Sequence, residues 1–160
     1  GSPIFPGTTV TGPLLAGNVV NSDGTGNLAG LGETSGTANV GYAVMAQSAV
    51  VTQASGTTTI VIPAQSQILN IYLMVTTAWN GTATTCGVGT TASATALTAA
   101  GAVAGGTLGL VTITPGTGAT QIGNWTDVGD TDIKVQVTST NTGAGVGVLT
   151  VKYLQGINIV

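Results

Sequence analysis

From Thr34 through Thr126 the chain carries no Asp, Glu, Lys, Arg or His, a run of 93 positions in a sequence of 160. Folded domains ordinarily keep about a quarter of their residues charged. Here the fraction is 4%, and the charges are confined to Asp23, Glu33, Asp127, Asp130, Asp132, Lys134 and Lys152. A compact monomer of this mass exposes roughly 7,200 Å², which leaves about one charge per 1,000 Å² and little electrostatic protection against association. The surface must therefore be wetted by Thr, Ser, Asn, Gln and backbone, or be covered by partners. Such a chain suits a part of an assembly.

The same scarcity excludes several functions. Phosphate affinity needs several Lys or Arg acting together, and Lys134 and Lys152 are the only basic residues. Neither nucleic acid nor an anionic membrane surface is expected as a partner. The mean hydropathy is +0.48, yet no apolar run reaches the length of a membrane span. The stretch Ala92 to Leu110 is interrupted by Ser93, Thr95, Thr98, Thr107 and several Gly. No basic start followed by an apolar core is present, so no signal peptide is expected. Gly1-Ser2 fits a cloning scar and a natural start after Met removal equally. Cys86 stands alone, so no intrachain disulfide is available, and its expected role is that of a small apolar residue.

Catalysis is equally poorly supplied. There is no His, and Glu33 is the sole Glu, so neither a Ser-His-Asp nor a Cys-His arrangement can be built within one chain. No Gly-rich stretch ends in Lys as a phosphate loop would. The chain is expected not to be an enzyme and to use no cofactor. Asp127, Asp130 and Asp132 form the one acidic cluster. Oxygen ligands suit Ca²⁺, but their spacing is not that of an EF-hand, and a solvated loop opening a strand is the favoured reading, with no metal expected.

Two regions differ along the chain. Residues 1–40 are rich in Gly, and Pro3, Pro6 and Pro13 leave no room for a helix. Isolated apolar anchors appear at Ile4, Phe5, Leu14, Leu15, Leu28 and Leu31. This reads as an extended N-terminal arm that would lie along a partner.

Residues 41–160 read as a β-sandwich or jelly roll of seven to eight short antiparallel strands. Strand signals cover Tyr42 to Thr52, Thr57 to Ile62, Ile68 to Thr77, Thr82 to Val88, Leu108 to Thr114, Ile133 to Thr138 and Val146 to Leu154. Leu69, Ile71, Leu73 and Val75 alternate with Asn70, Tyr72, Met74 and Thr76, the mark of a half-buried strand. Asn80-Gly81 predicts a tight hairpin between Ile68–Thr77 and the strand that follows. Asn141 to Gly145 predicts a second hairpin at the C-terminus. Thr90 to Gly106 permits either a short helix or a loop with a short strand. Trp79 and Trp125 fall at predicted turns. They can stack on sugars as a glycan-binding module would, or fill the core or a subunit interface, where aromatics are enriched. The second role is favoured.

The N-terminal third carries a resemblance. Phe5-Pro6-Gly7, Thr11-Gly12-Pro13-Leu14-Leu15-Ala16-Gly17, Asn27-Leu28-Ala29-Gly30 and Asn39-Val40-Gly41-Tyr42-Ala43-Val44-Met45-Ala46-Gln47 resemble the start of small head proteins of tailed double-stranded DNA bacteriophages. Ile62-Pro63-Ala64 leading into Ile68–Thr77, and the closing Leu149-Thr150-Val151-Lys152-Tyr153, look similar to their β-sandwich. The resemblance implies a capsid decoration (cement, or head-stabilising) protein on the outer capsid surface of the virion. It also implies the major capsid protein as partner and assembly as a homotrimer. It transfers no functional residue, because that family has no active site. A head or tail fibre component, or a glycan-binding adhesive module, is the alternative.

Overall fold

The computed structural model describes residues 43–155. The expected arm, with Ile4, Phe5, Leu14, Leu15, Leu28 and Leu31, lies outside the described residues. Eight strands follow one another: β1 (Ala43–Thr52), β2 (Gly56–Ile62), β3 (Gln67–Thr77), β4 (Thr85–Thr90), β5 (Val103–Ala104), β6 (Gly109–Ile113), β7 (Ile133–Ser139) and β8 (Val146–Gln155). One short helix, α1 (Ala119–Thr126), precedes β7. The strands form two four-stranded sheets, ordered β1-β8-β3-β6 and β2-β7-β4-β5.

This order has a simple origin. The first strand neighbours the last, the second the seventh, the third the sixth and the fourth the fifth. A long antiparallel ribbon rolled on itself gives these pairs, and that is a jelly roll. The all-β expectation and the sandwich are both present.

The inner faces are built by alternation. β3 turns Ile71, Leu73 and Val75 inward, and β8 turns Leu149, Val151 and Tyr153 inward. Ile60 and Ile62 of β2, Val135 and Val137 of β7, and Cys86 and Val88 of β4 meet them from the other sheet. Each such side chain, fully buried, contributes roughly 1.5–3 kcal/mol. One detail departs from the sequence pattern. A bulge between Ile68 and Asn70 in the β3–β8 register turns Ile68 into the core and leaves Leu69 only half-buried.

The two hairpins expected from Asn80-Gly81 and Asn141–Gly145 do not form. β3 and β4 lie in different sheets, and so do β7 and β8. Both connections are corners that carry the chain across the sandwich. The reason is visible in Trp79, which is 2% exposed and drops into the core from the first corner. Its indole N–H donates to Ser139 Oγ at 3.1 Å and its backbone N–H to the Gly105 carbonyl at 2.8 Å. A Cβ on Gly145 would sit 2.6 Å from Trp79 Cδ2, and one on Gly105 2.7 Å from the same atom. The ring is therefore seated between two backbone segments that must lack side chains.

Gln53, fully buried, ties three corners together. Its Oε1 accepts the N–H groups of Asn80 (2.9 Å) and Gly145 (3.1 Å), and its Nε2 donates to the Asn80 carbonyl (2.6 Å). Asn141 reinforces the join, accepting the Ala83 N–H at 2.8 Å and donating to the Asn80 carbonyl at 3.1 Å.

The region Thr90–Gly106, open between helix and loop from the sequence, is a loop of turns that ends in β5. It covers the outer side of β4, where a Cβ on Gly89 would overlap the Ala94 carbonyl. Thr98 acts as a substitute strand partner there. Its N–H donates to the Val88 carbonyl at 2.9 Å, and its hydroxyl accepts the Val88 N–H at 2.9 Å.

Substituting Gln53 by Leu would leave the buried Gly145 N–H and the part-buried Asn80 N–H and carbonyl without that partner. With roughly 1–3 kcal/mol lost per unsatisfied group, we expect a loss of about 2–5 kcal/mol in urea unfolding. A loss below about 1 kcal/mol would show that the corners do not depend on this amide.

Candidate functional site

Helix α1 is eight residues long, contains Gly123 and has no side-chain cap. It is too short to be stable alone. It persists because Gln121, Asn124 and Trp125, at i, i+3 and i+4 on one face, each donate to the Thr90–Gly106 loop. Gln121 Nε2 reaches the Thr95 carbonyl at 2.8 Å, Asn124 Nδ2 that of Ala96 at 2.8 Å, and Trp125 Nε1 that of Leu97 at 2.8 Å. Three side chains thus hold three successive carbonyls. The helix was not anticipated from the sequence because its organising stripe is polar rather than apolar.

Both tryptophans are therefore structural in this chain. Trp79 and Trp125 are 2% and 8% exposed, and each indole N–H already has a partner. Neither offers a face on which a sugar could stack, and they are not brought together on one rim.

The three aspartates brace a corner. Asp132 Oδ1 accepts the Ala64 N–H at 2.9 Å, Asp130 Oδ1 accepts from Gln65 Nε2 at 2.6 Å, and Asp127 Oδ1 accepts the Gly129 N–H at 2.9 Å. Gln65 has a positive φ of 61°, and its N–H is held by the Gly129 carbonyl at 2.8 Å. The carboxylates fix this turn rather than converge on a common point, and no described group of three acidic, His or Cys side chains is arranged to hold a metal.

A cleft of about 530 Å³ opens beside β5, β6 and the start of α1, lined in part by Val103, Val111, Ile113, Pro115 and Gln121. No charged side chain lines it, and the Gln121 amide is already engaged with Thr95. Cys86 is buried, and burial pushes its thiol from 9.0 up to about 11, which makes it a poor nucleophile.

The outer surfaces are more informative. The described charges all gather at one end of the sandwich. Asp127, Asp130 and Asp132 lie in the loop before β7, Lys134 lies opposite Val61 near the end of β2, and Lys152 lies opposite Asn70 near the start of β3. The Gln53 end has none. The outer face of the β2-β7-β4-β5 sheet is mostly polar, with Thr57, Thr59, Lys134, Gln136 and Thr138 alternating with the core positions and Val61 an isolated exposed apolar residue opposite Lys134.

The outer face of the β1-β8-β3-β6 sheet is different. Met74 pairs with Val148 on one side and with Leu110 on the other. The hydroxyls of Ser48 and Thr150 meet at 2.8 Å, and the Gln53 N–H reaches the Gly145 carbonyl. Both contacts set the β1–β8 register so that Val50 lies opposite Val148. Val50, Val148, Met74 and Leu110 thus form one apolar row across all four strands. Val50 is 71% exposed, Leu110 58% and Met74 42%. The next row is Ser48, Thr150, Tyr72 and Thr112. Sequence alternation in β3 had placed Met74 and Tyr72 on one face. The continuity of the row appears only once the order and register of the strands are known.

No protein-family model matches the chain, and no curated protein does. Among solved structures, a chain of the cyanophage Pam1 capsid asymmetric unit is similar at 20% identity with a TM-score of 0.48, over 77% of this chain and 92% of that one.

Two outcomes follow from this geometry. The raised thiol means that the folded protein keeps Cys86 neutral where the unfolded chain ionises it. Stability should therefore fall between about pH 9 and pH 11, by at most about 1.4 kcal/mol per pH unit. Chemical unfolding at several pH values checks this, and Cys86→Ala should flatten the fall. The melting temperature should be unchanged by EDTA or by added Ca²⁺, since the aspartates already serve the corner. A rise with Ca²⁺ would restore a metal role.

Proposed function

We propose that this chain is a non-enzymatic structural protein of a phage virion that binds the outer surface of the capsid as a homotrimer and stabilises the shell. The observation that carries the reading is the distribution of charge. One end of the sandwich holds every described charge, while the other end and one broad face hold none except Lys152 at its border. Surfaces buried in assemblies are depleted in charge at their centres. Jelly rolls serve as viral capsid proteins, lectins and cupins, and the fold alone does not choose among them. The chain has no His to build a cupin-type metal site. Its tryptophans are buried away from any sugar. The resemblance of the N-terminal motifs to phage head proteins supports the same choice.

In this reading residues 1–40 carry the principal capsid contacts. Their anchors Ile4, Phe5, Leu14, Leu15, Leu28 and Leu31 add apolar burial with few ionic contacts, and salt screens such contacts little. Repetition over a symmetric shell turns modest single contacts into firm retention. Deleting Pro3 to Gly17 should leave the sandwich folded by circular dichroism yet abolish decoration of phage shells seen by cryo-electron microscopy. Full decoration by the truncated protein would overturn the assignment of the arm.

A further inference from the structure

We infer that the outer face of the β1-β8-β3-β6 sheet is where a second copy of this chain docks. The inference concerns a face-to-face, two-fold contact between copies, distinct from the contact that would build the homotrimer of the proposed function, and does not depend on the capsid. The row Val50, Val148, Met74 and Leu110 spans the whole sheet. Isolated exposed apolar residues are ordinary, but a continuous row across four strands is not. Around it stand Ser48, Thr150, Thr112 and Thr76, small hydroxyl side chains, with the half-buried Tyr72 among them.

The charge pattern selects the partner. A face without a carboxylate or ammonium at its centre gives no purchase to a charged surface, and burying it desolvates no ion. The surface that meets it best is equally uncharged, and the chain itself supplies one. Two copies of this face meet without like-charge repulsion, because Lys152 lies towards the far end of the strands from Val148. The other sheet, with Lys134, Gln136 and its threonines, presents no comparable row.

The area is adequate. Four strands spaced about 4.8 Å apart, over roughly eight residues of about 3.4 Å, cover roughly 500 Å² in projection. Pleating raises the accessible area above this, towards the roughly 600–800 Å² per partner that specific interfaces bury. Met is enriched at such interfaces, and Met74 lies in an inner strand of the row, flanked by β8 and β6.

The test is the mass of the full chain in solution, by light scattering at micromolar concentration, with Val50→Lys/Leu110→Lys as the variant. Both positions are exposed on the outermost strands of the sheet, so the fold should survive, checked by an unchanged far-ultraviolet circular dichroism spectrum. The wild type is expected above the single-chain mass of 15.5 kDa, the variant below the wild-type mass. Thr59→Lys/Gln136→Lys, on the opposite sheet, should keep the wild-type mass. A monomeric wild type, a Val50→Lys/Leu110→Lys variant that keeps the wild-type mass, or equal dissociation by the control pair would each overturn the inference. No shell enters the measurement. A protein that self-associates through this face and decorates nothing would refute the capsid reading and leave this one standing.

Discussion

Every long connection at the Gln53 end must carry the chain from one sheet to the other, and one buried amide holds those crossings in register. The Gln53 side chain offers one acceptor oxygen and two donor hydrogens. The oxygen binds N–H groups from two different corners, and the nitrogen returns to the first of them. Buried amides of this kind gain little net energy when satisfied and lose much when not. Their effect is therefore on uniqueness: only one mutual placement of β1, β3 and β8 satisfies all three bonds. Trp79 adds the apolar half of the same joint, since its ring fits only where Gly105 and Gly145 leave space.

That joint explains how much of the fold could be read from the residues. Strand positions were legible to within a few residues, because a half-buried strand alternates whatever it pairs with. Pairing was not. Asn-Gly is a strong local signal for a hairpin turn, and Gly81 does adopt a positive φ of 99°. Yet residues 78–84 are too many for a two-residue turn, and Trp79 within them is pulled into the core. Gln53 carries no local mark that separates it from any other polar loop residue. Its role depends on segments 27 and 92 positions away. The same is true of Gln121, Asn124 and Trp125, whose spacing is helical but whose partners are carbonyls of a distant loop. Of the candidate site residues, the two tryptophans are buried in the sandwich. The apolar row was hidden because its members come from four strands.

Neutral side chains carry tasks that charges perform in other sheets. Exposed strand edges are commonly guarded by Lys, by Pro or by bulges. Here the Gln47 amide lies against the edge of β2, accepting the Val61 N–H at 3.1 Å and donating to its carbonyl at 2.6 Å. Thr98 does the same for Val88 in β4. The β2-β7-β4-β5 sheet is thus partly closed on both sides by an amide and a hydroxyl that mimic a strand, and neither device adds charge. The edges of the β1-β8-β3-β6 sheet are its outermost strands β1 and β6, the two strands that also bear Val50 and Leu110.

This economy of charge has a consequence for how the molecule can associate. A surface that relies on ion pairs binds more weakly as salt rises, whereas apolar burial and backbone hydrogen bonds are nearly indifferent to it. With its described charges at one end, the sandwich also has a defined polarity. The charged end is the costliest part to desolvate, and the sheet face with its four-residue apolar row is the cheapest. Any assembly that minimises the free energy of the whole will therefore leave the aspartate loop in water and cover the row. Which surface of the sandwich is cheapest to cover thus follows from where charge was left out as much as from where apolar residues were put in.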